Sequence, residues 1–150
     1  MPRAAIRLAL LSLTPAIVAG LLCLVRDVSV ARIGAIGFSI YAAVLLSFLG
    51  GVRCGVEIMR ASDQPNGMRL AISAAPALLG WAYAAFVTAF PLPPGAAAAF
   101  AGLFALQNAW DQRSHNAGAP SWYPMLRQVQ TGGMMLVCLL LPFADIVRRF

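Results

Sequence analysis

Five long apolar stretches, separated by short polar connections, dominate the pattern of residues along the chain. They lie at residues 4–25, 33–59, 70–90, 95–110 and 129–147. A helix needs roughly 20 apolar residues to cross about 30 Å of hydrocarbon, and most of the stretches are about that long. The pattern therefore predicts an all-α fold, an integral membrane bundle of about five transmembrane helices that forms a single domain.

Composition supports this class of protein. Hydrophobic residues make up 61% of the 150 residues and charged residues only 11%, whereas water-soluble domains carry about 25% charged residues. Nothing is left over for a soluble domain. The first stretch follows two arginines as a signal peptide would, but its apolar run is too long for one. We expect it to remain as a transmembrane helix.

The eleven basic residues are all arginine, against five acidic residues. They are spread along the chain at the ends of the apolar stretches instead of forming a patch, which favours membrane-flanking charges over a nucleic-acid surface. With the N-terminus in the cytoplasm, seven arginines lie inside (Arg3, Arg7, Arg53, Arg60, Arg69, Arg113 and Arg127) and four outside (Arg26, Arg32, Arg148 and Arg149). Arginine without lysine indicates a GC-rich bacterial genome, and hence a multi-pass protein of a bacterial inner membrane.

The second stretch carries small residues at every fourth position, namely Ala43, Ser47, Gly51 and Gly55. This spacing is typical of a helix-packing seam, where a second helix approaches closely. The charged residues Arg53, Glu57 and Arg60 are predicted roughly opposite the seam, and Arg53 and Glu57 are four residues apart and so able to pair. Two interpretations stay open: anchoring at the membrane interface, or a buried functional pair.

Polar and aromatic residues stand out at three further places. Trp81 follows Pro76 in the third stretch, which indicates either a packed kink or a ligand pocket. Asp111 closes the fourth stretch and is expected to cap a helix or to pair with Arg113 or Arg127. The longest connection, 112–128, holds Trp122 and Tyr123, which fit either an aromatic belt at the headgroups or a functional loop.

No catalytic, cofactor-binding or metal-binding motif is recognisable. Ser114 and His115 follow Asp111, but the strand–turn–helix context of a hydrolase nucleophile is missing. His115 is the one histidine, which excludes a site with several histidines within one chain. The three cysteines form no Cys-x-x-Cys pair. We therefore expect no enzyme, no cofactor and no metal.

Several segments together resemble a known family. They are the run from Tyr41 to Gly55, Pro76 followed by Trp81, Asp111 after the fourth helix, and the element Trp122-Tyr-x-x-Leu-Arg127. These resemble the transmembrane protein 69 family, whose bacterial members form a domain of unknown function, number 3429. The chain departs from the family pattern at Arg53 and Cys54, where histidine and tryptophan are frequent.

The resemblance implies a small polytopic inner-membrane protein and brings no activity or cofactor. It marks the glycine ladder and six further residues as candidates for function: Arg53, Trp81, Asp111, Trp122, Tyr123 and Arg127. Spacing and topology lead to one structural hypothesis. Asp111 and Arg127 meet at the cytoplasmic ends of the fourth and fifth helices and hold the Trp122–Tyr123 loop against Arg53.

The leading functional hypothesis is a non-catalytic accessory, assembly or scaffold protein. The alternative is a small transporter or a lipid-binding protein, favoured by the charged stripe on the second helix and the basic cytoplasmic face. A membrane enzyme using Asp111, His115 and Arg127 ranks last. The expected partners are membrane lipid and either another membrane protein or a second copy, with no nucleic acid.

Overall fold

Five helices in sequence make up the fold, and the described residues contain no strand. The computed structural model describes residues 2–60, 64, 66–90, 96–113 and 120–149, with side chains at these positions except 60, 96, 97, 113 and 142–149. The helices are α1 (Arg3–Cys23), α2 (Val28–Arg60), α3 (Gly67–Ala89), α4 (Ala96–Arg113) and α5 (Tyr123–Arg149). The predicted all-α fold is confirmed.

Two helices begin earlier than the apolar pattern predicts because polar residues cap them. Asp27 Oδ1 accepts the backbone N–H groups of Ser29 at 2.8 Å and Val30 at 3.2 Å, so α2 begins at Val28 and not near residue 33. Asn66 does the same for α3 by accepting the N–H of Arg69 at 3.2 Å. Each cap satisfies donors that have no partner within the helix.

The largest departure from the predicted boundaries is at α5, which begins at Tyr123 and not at residue 129. Pro124 is compatible with a first helical turn, since N–H groups there need no partner inside the helix. The polar residue Arg127 concealed the start of the helix from an apolar pattern, although its side chain points into the bundle and is buried. The connection predicted over 112–128 is shortened from both sides, since α4 continues to Arg113.

The helices form one packed group with α2 at its centre. α2 packs on α1, α3 and α4, α5 packs on α1 and α4, and a smaller contact joins α3 to α4. The largest fully buried side chains of the shared core are those of Phe38, Leu46, Leu49, Phe100, Phe104, Met134 and Cys138. Phe100 also receives the Tyr83 ring edge-on, with ring centroids 4.7 Å apart, a favourable aromatic geometry.

Three of the helices have the length and apolar composition needed to cross a membrane, among the residues that the structure describes. These are α1, residues Val28–Met59 of α2, and α3. Many of their large apolar side chains are exposed, for example Leu11, Val28 and Leu78, as expected where lipid replaces water as the neighbour. These features indicate a helical membrane protein; that α4 and α5 also cross stays a prediction.

Candidate functional site: a buried charged cluster at one end of the bundle

One end of the bundle gathers charged residues from all five helices. We call it the arginine-rich end: α1, α3 and α5 begin there, and α2 and α4 end there. At its centre Arg53 of α2, Asp111 of α4 and Arg127 of α5 form what we call the charged cluster. The Asp111 and Arg127 side chains are only 3% and 2% exposed, and that of Arg53 is 13% exposed.

Asp111 and Arg127 form the tightest contact of the cluster. Arg127 donates from Nε at 2.8 Å and from Nη2, both to Asp111 Oδ2. The contact predicted between these two residues is therefore confirmed. Because such charge-assisted bonds are the strongest in proteins, the pair ties the last turn of α4 to the first turns of α5. Thr131 Oγ1 donates to the Arg127 carbonyl at 2.7 Å, one turn further along α5.

Arg53 approaches the second oxygen of the same carboxylate. Its Nε lies 3.6 Å from Asp111 Oδ1, and Gln107 Nε2 donates to that oxygen at 3.4 Å. The Asp111 carboxyl lies just beyond the predicted membrane span 95–110. Burial raises the pKa of this carboxyl, and the positive charges of Arg127 and Arg53 partly oppose that rise. One carboxylate thus contacts two guanidinium groups.

Aromatic rings flank both arginines. The guanidinium carbon of Arg53 lies 5.8 Å from the centroid of the Trp110 ring, and that of Arg127 lies 5.7 Å from the centroid of Tyr123. Both distances are within the range of cation–π attraction. The rings therefore stabilise the two cations on their faces while Asp111 contacts their N–H edges.

Trp122 and Tyr123 lie beside the cluster, although not as the sequence predicts. Both pack against the start of α1, on Ala5 and Ala9, together with Leu126. Tyr123 is the first residue of α5 and so belongs to no loop. One part of the predicted arrangement is present, because Arg127 lies against the ring of Tyr123. The aromatic ring next to Arg53, however, is that of Trp110 and not that of Trp122 or Tyr123.

Glu57 has a different partner from the one predicted. Its carboxylate lies 3.6 Å from Nη1 of Arg69 on α3, whereas Arg53 faces Asp111. The contacts described for the two residues are thus tertiary ones, and a pair between Arg53 and Glu57 stays a prediction; an i,i+4 pair contributes only a few tenths of a kcal/mol. The side chain of Arg60, the third member of that stripe, lies outside the described residues, as does His115.

The predicted packing seam is only partly used inside this chain. Ala43 is buried, and its Cα lies 3.2 Å from the point where a Cβ on Gly80 of α3 would stand. Ser47, Gly51 and Gly55 are exposed, and a Cβ on either glycine would meet nothing within 4 Å among the described atoms. A four-residue step overshoots a helical turn by about 40°, so after three steps the ladder has rotated about 120° away from Ala43.

Trp81 lies apart from the charged cluster. Its side chain is 69% exposed on the outer surface of α3, which excludes it from any site inside the bundle. The helix itself continues through Pro76. Pro76 and Ser73 lie against Gly50 of α2, as the packed alternative of the sequence analysis expects, and a ligand pocket there stays a prediction.

A second set of polar side chains, those of Gln130, Ser12 and Tyr41, meets inside the bundle and was not predicted. Gln130 Nε2 donates to Ser12 Oγ at 3.1 Å, and the Tyr41 hydroxyl donates to the Ser12 carbonyl. These bonds join α5, α2 and α1 one turn deeper than Arg127. The residues are 118 and 29 positions apart along the chain, so no local spacing reveals them. The Gln107–Asp111 contact, by comparison, joins residues four positions apart on one helix, a spacing that is readable from the sequence.

Two buried polar atoms have no hydrogen-bond partner within the described part of the chain, the Tyr123 hydroxyl and Asn108 Oδ1. The same residues contain no group of three histidine, cysteine, aspartate or glutamate side chains that could hold a metal. What the described residues show at this site is electrostatic: the Asp111 carboxylate lies against the guanidinium groups of both Arg127 and Arg53.

Comparison with known protein families identifies the family of this chain. A family model described as a protein of unknown function (DUF3429) matches residues 1–143. The chain belongs to this family. The match includes the whole charged cluster and all of α1 to α4, so these features lie inside the DUF3429 unit. Searches of curated proteins and of solved structures gave no match.

Proposed function

We propose that this DUF3429 protein is a non-catalytic accessory or scaffold component of a membrane, which holds a helix of another membrane protein against α2. The observation that carries the proposal is the small-residue face, which we define as Ser47, Gly51 and Gly55. It lies on an apolar helix that α1, α3 and α4 already hold in place.

The small-residue face has the properties of a helix-packing surface. Its three residues fall within about 80° of one another on the helix, and both glycines are open to a neighbour. The Ser47 hydroxyl donates to the Ala43 carbonyl at 2.9 Å, so it leaves no donor unsatisfied toward lipid. The exposed side chains of Val44 and Phe48 flank it. Small residues between larger apolar ones let two helix backbones approach closely in a membrane.

The cellular setting belongs to the same proposal. We place the protein in a bacterial inner membrane with its N-terminus in the cytoplasm, and we regard it as related to the transmembrane protein 69 family. The support is the positive-inside rule, because seven of the eleven arginines fall at the arginine-rich end. A reporter that is active only outside the cytoplasm, fused after residue 113, should stay inactive; activity there would contradict this orientation.

Site-specific photocrosslinking tests the partner surface. A photoreactive residue replacing Ser47 should give one discrete product in native membranes, cross-linked to an apolar helix of another membrane protein. Gly51→Leu should abolish the product by filling the face, while Gly102→Leu, at an open glycine on α4, should leave it unchanged. Cross-linking to lipid alone, or to a second copy of this chain, would overturn the accessory function.

A further inference from the structure

We propose that Arg3 and Arg7 of α1 bind the headgroup of an anionic phospholipid at the arginine-rich end, with an acyl chain of that lipid along the same face of the helix. The inference concerns α1 and does not depend on the proposed partner helix of α2. It starts from the direction in which the two arginines face. Both are exposed, and because they are four residues apart, their side chains are neighbours on one face of the helix.

This face of α1 points away from the bundle. Successive residues of a helix are about 100° apart around its axis, which puts the packed side of α1 roughly opposite the two arginines. The buried residues on that packed side are Ala5, Ala9, Leu13, Ala16, Ala19 and Cys23. Arg3 and Arg7 therefore face outward, where lipid surrounds the protein, and not toward the charged cluster.

The two guanidinium groups are a matched pair for one phosphate. The acidic side chains that the structure describes at this end, those of Glu57 and Asp111, lie against other arginines. Like charges four residues apart repel each other and destabilise a helix, and an anion that contacts both of them removes that repulsion. A guanidinium presents its N–H donors as a planar fork that matches two phosphate oxygens.

The same face continues as an apolar strip into the membrane. Leu11, Val18 and Leu21 are exposed and fall within about 80° of the two arginines around the helix. Thr14 lies among them, and its hydroxyl donates to a backbone carbonyl of its own helix at 3.3 Å. From Arg7 the strip runs for about 21 Å. Two cations followed by an apolar strip complement a phospholipid, whereas free phosphate would use the charged end alone.

The length of α1 places the two arginines at the level of the headgroups. Its 21 residues make about 31 Å of helix at 1.5 Å per residue, which equals the hydrocarbon thickness of about 30 Å. Arg3 then lies at the interface, and Arg7, one turn deeper, reaches it because arginine side chains extend toward water. Trp122 packs against the same start of α1, and tryptophan is typical of the headgroup level.

The test uses the purified full chain in mild detergent, mixed with equal amounts of phosphatidylglycerol and phosphatidylcholine of the same acyl chains and weighed by native mass spectrometry. Wild type should retain phosphatidylglycerol in preference. The double variant Arg3→Gln, Arg7→Gln should bind it about 30-fold more weakly, since each arginine near the surface attracts anionic lipid. The control Arg26→Gln, Arg32→Gln removes two exposed arginines from the opposite end and should bind as wild type does.

Equal retention of phosphatidylglycerol by wild type, the double variant and the control would overturn the proposal. Thermal melting separates lipid from free anion: inorganic phosphate alone should not protect the wild type, and protection by phosphate that depends on the two arginines, without lipid retention, would also overturn it. If the double variant fails to fold, a photoreactive residue replacing Leu11 takes its place. It should cross-link to phosphatidylglycerol more than to phosphatidylcholine, and equal cross-linking would contradict the site.

Discussion

At the scale of single residues, the structure depends on a carboxylate that is buried between two arginines. Asp111 and Arg127 are almost completely enclosed and contact each other directly. Removing one member of a buried pair is expensive because the other charge stays in a low-dielectric place without compensation. The stability of the charged cluster is thus a property of the pair and not of either residue alone.

A double-mutant cycle measures that pair. Asp111→Asn should lower the free energy of unfolding by about 3–5 kcal/mol, since Arg127 and Arg53 both lose their carboxylate. Adding Arg127→Gln should recover part of the loss, with a coupling energy of about 1 kcal/mol or more. Chemical unfolding in detergent gives all four values, and additive single effects would show that the two residues are not coupled.

Two half-buried tyrosines provide a matched comparison. The Tyr41 hydroxyl donates to the Ser12 carbonyl, whereas the Tyr123 hydroxyl has no partner among the described residues. Tyr41→Phe should therefore lower the free energy of unfolding by about 1 kcal/mol, and Tyr123→Phe should leave it unchanged or raise it. Unfolding midpoints of the two variants check this, and a larger loss for Tyr123→Phe would contradict the assignment.

At the scale of elements, α2 shows what a sequence reveals and what it conceals. Its apolar length is readable from the sequence, but the side that packs is not, since a four-residue ladder and the true contact face diverge by about 40° per step. The buried positions Phe38, Ala42, Leu45 and Leu49 follow the shorter 3–4 alternation. Gly50, and not Gly51, is consequently the glycine that lies against α3.

Adjacent glycines in α2 turn this difference into a prediction. A Cβ on Gly50 would overlap the Ser73 carbonyl oxygen, while a Cβ on Gly51 would stand in open space. Gly50→Ala should lower the free energy of unfolding by about 1–3 kcal/mol through overpacking. Gly51→Ala should have no such effect and should gain slightly from helix propensity. Thermal melting of the two variants checks the packing register, and equal destabilisation by both would contradict it.

The start of α5 was concealed for a different reason. A polar side chain in an apolar pattern reads as a connection, yet Arg127, Gln130 and Thr131 are buried on partners contributed by α4, α1 and α5 itself. Polar residues are tolerated at these buried positions because the tertiary structure gives them hydrogen-bond partners. The Asp111–Arg127 contact was nevertheless predictable, since the two flank one connection between neighbouring helices. The contact between Glu57 and Arg69 was not, because the two residues are 12 positions apart on different helices and no local spacing points to it.

At the scale of the whole molecule, α2 carries two features at different places: the charged cluster near its end and the small-residue face along its apolar stretch. The end of the helix is fixed to α4 and α5 through Arg53 and Asp111. The apolar stretch before it leaves Ser47 and Gly51 facing outward. The bundle thus holds an uncovered packing surface in a fixed place, which is the property that an accessory membrane protein requires.

Native mass spectrometry of the protein, extracted gently from its own membranes, tests this account most directly. The account predicts a complex whose mass exceeds that of one chain by a stoichiometric second protein, and Gly51→Leu should reduce it to the single chain. The fold of that variant is verified by its unchanged melting temperature. A wild-type protein that leaves the membrane as one chain, with no protein partner, would contradict the accessory function.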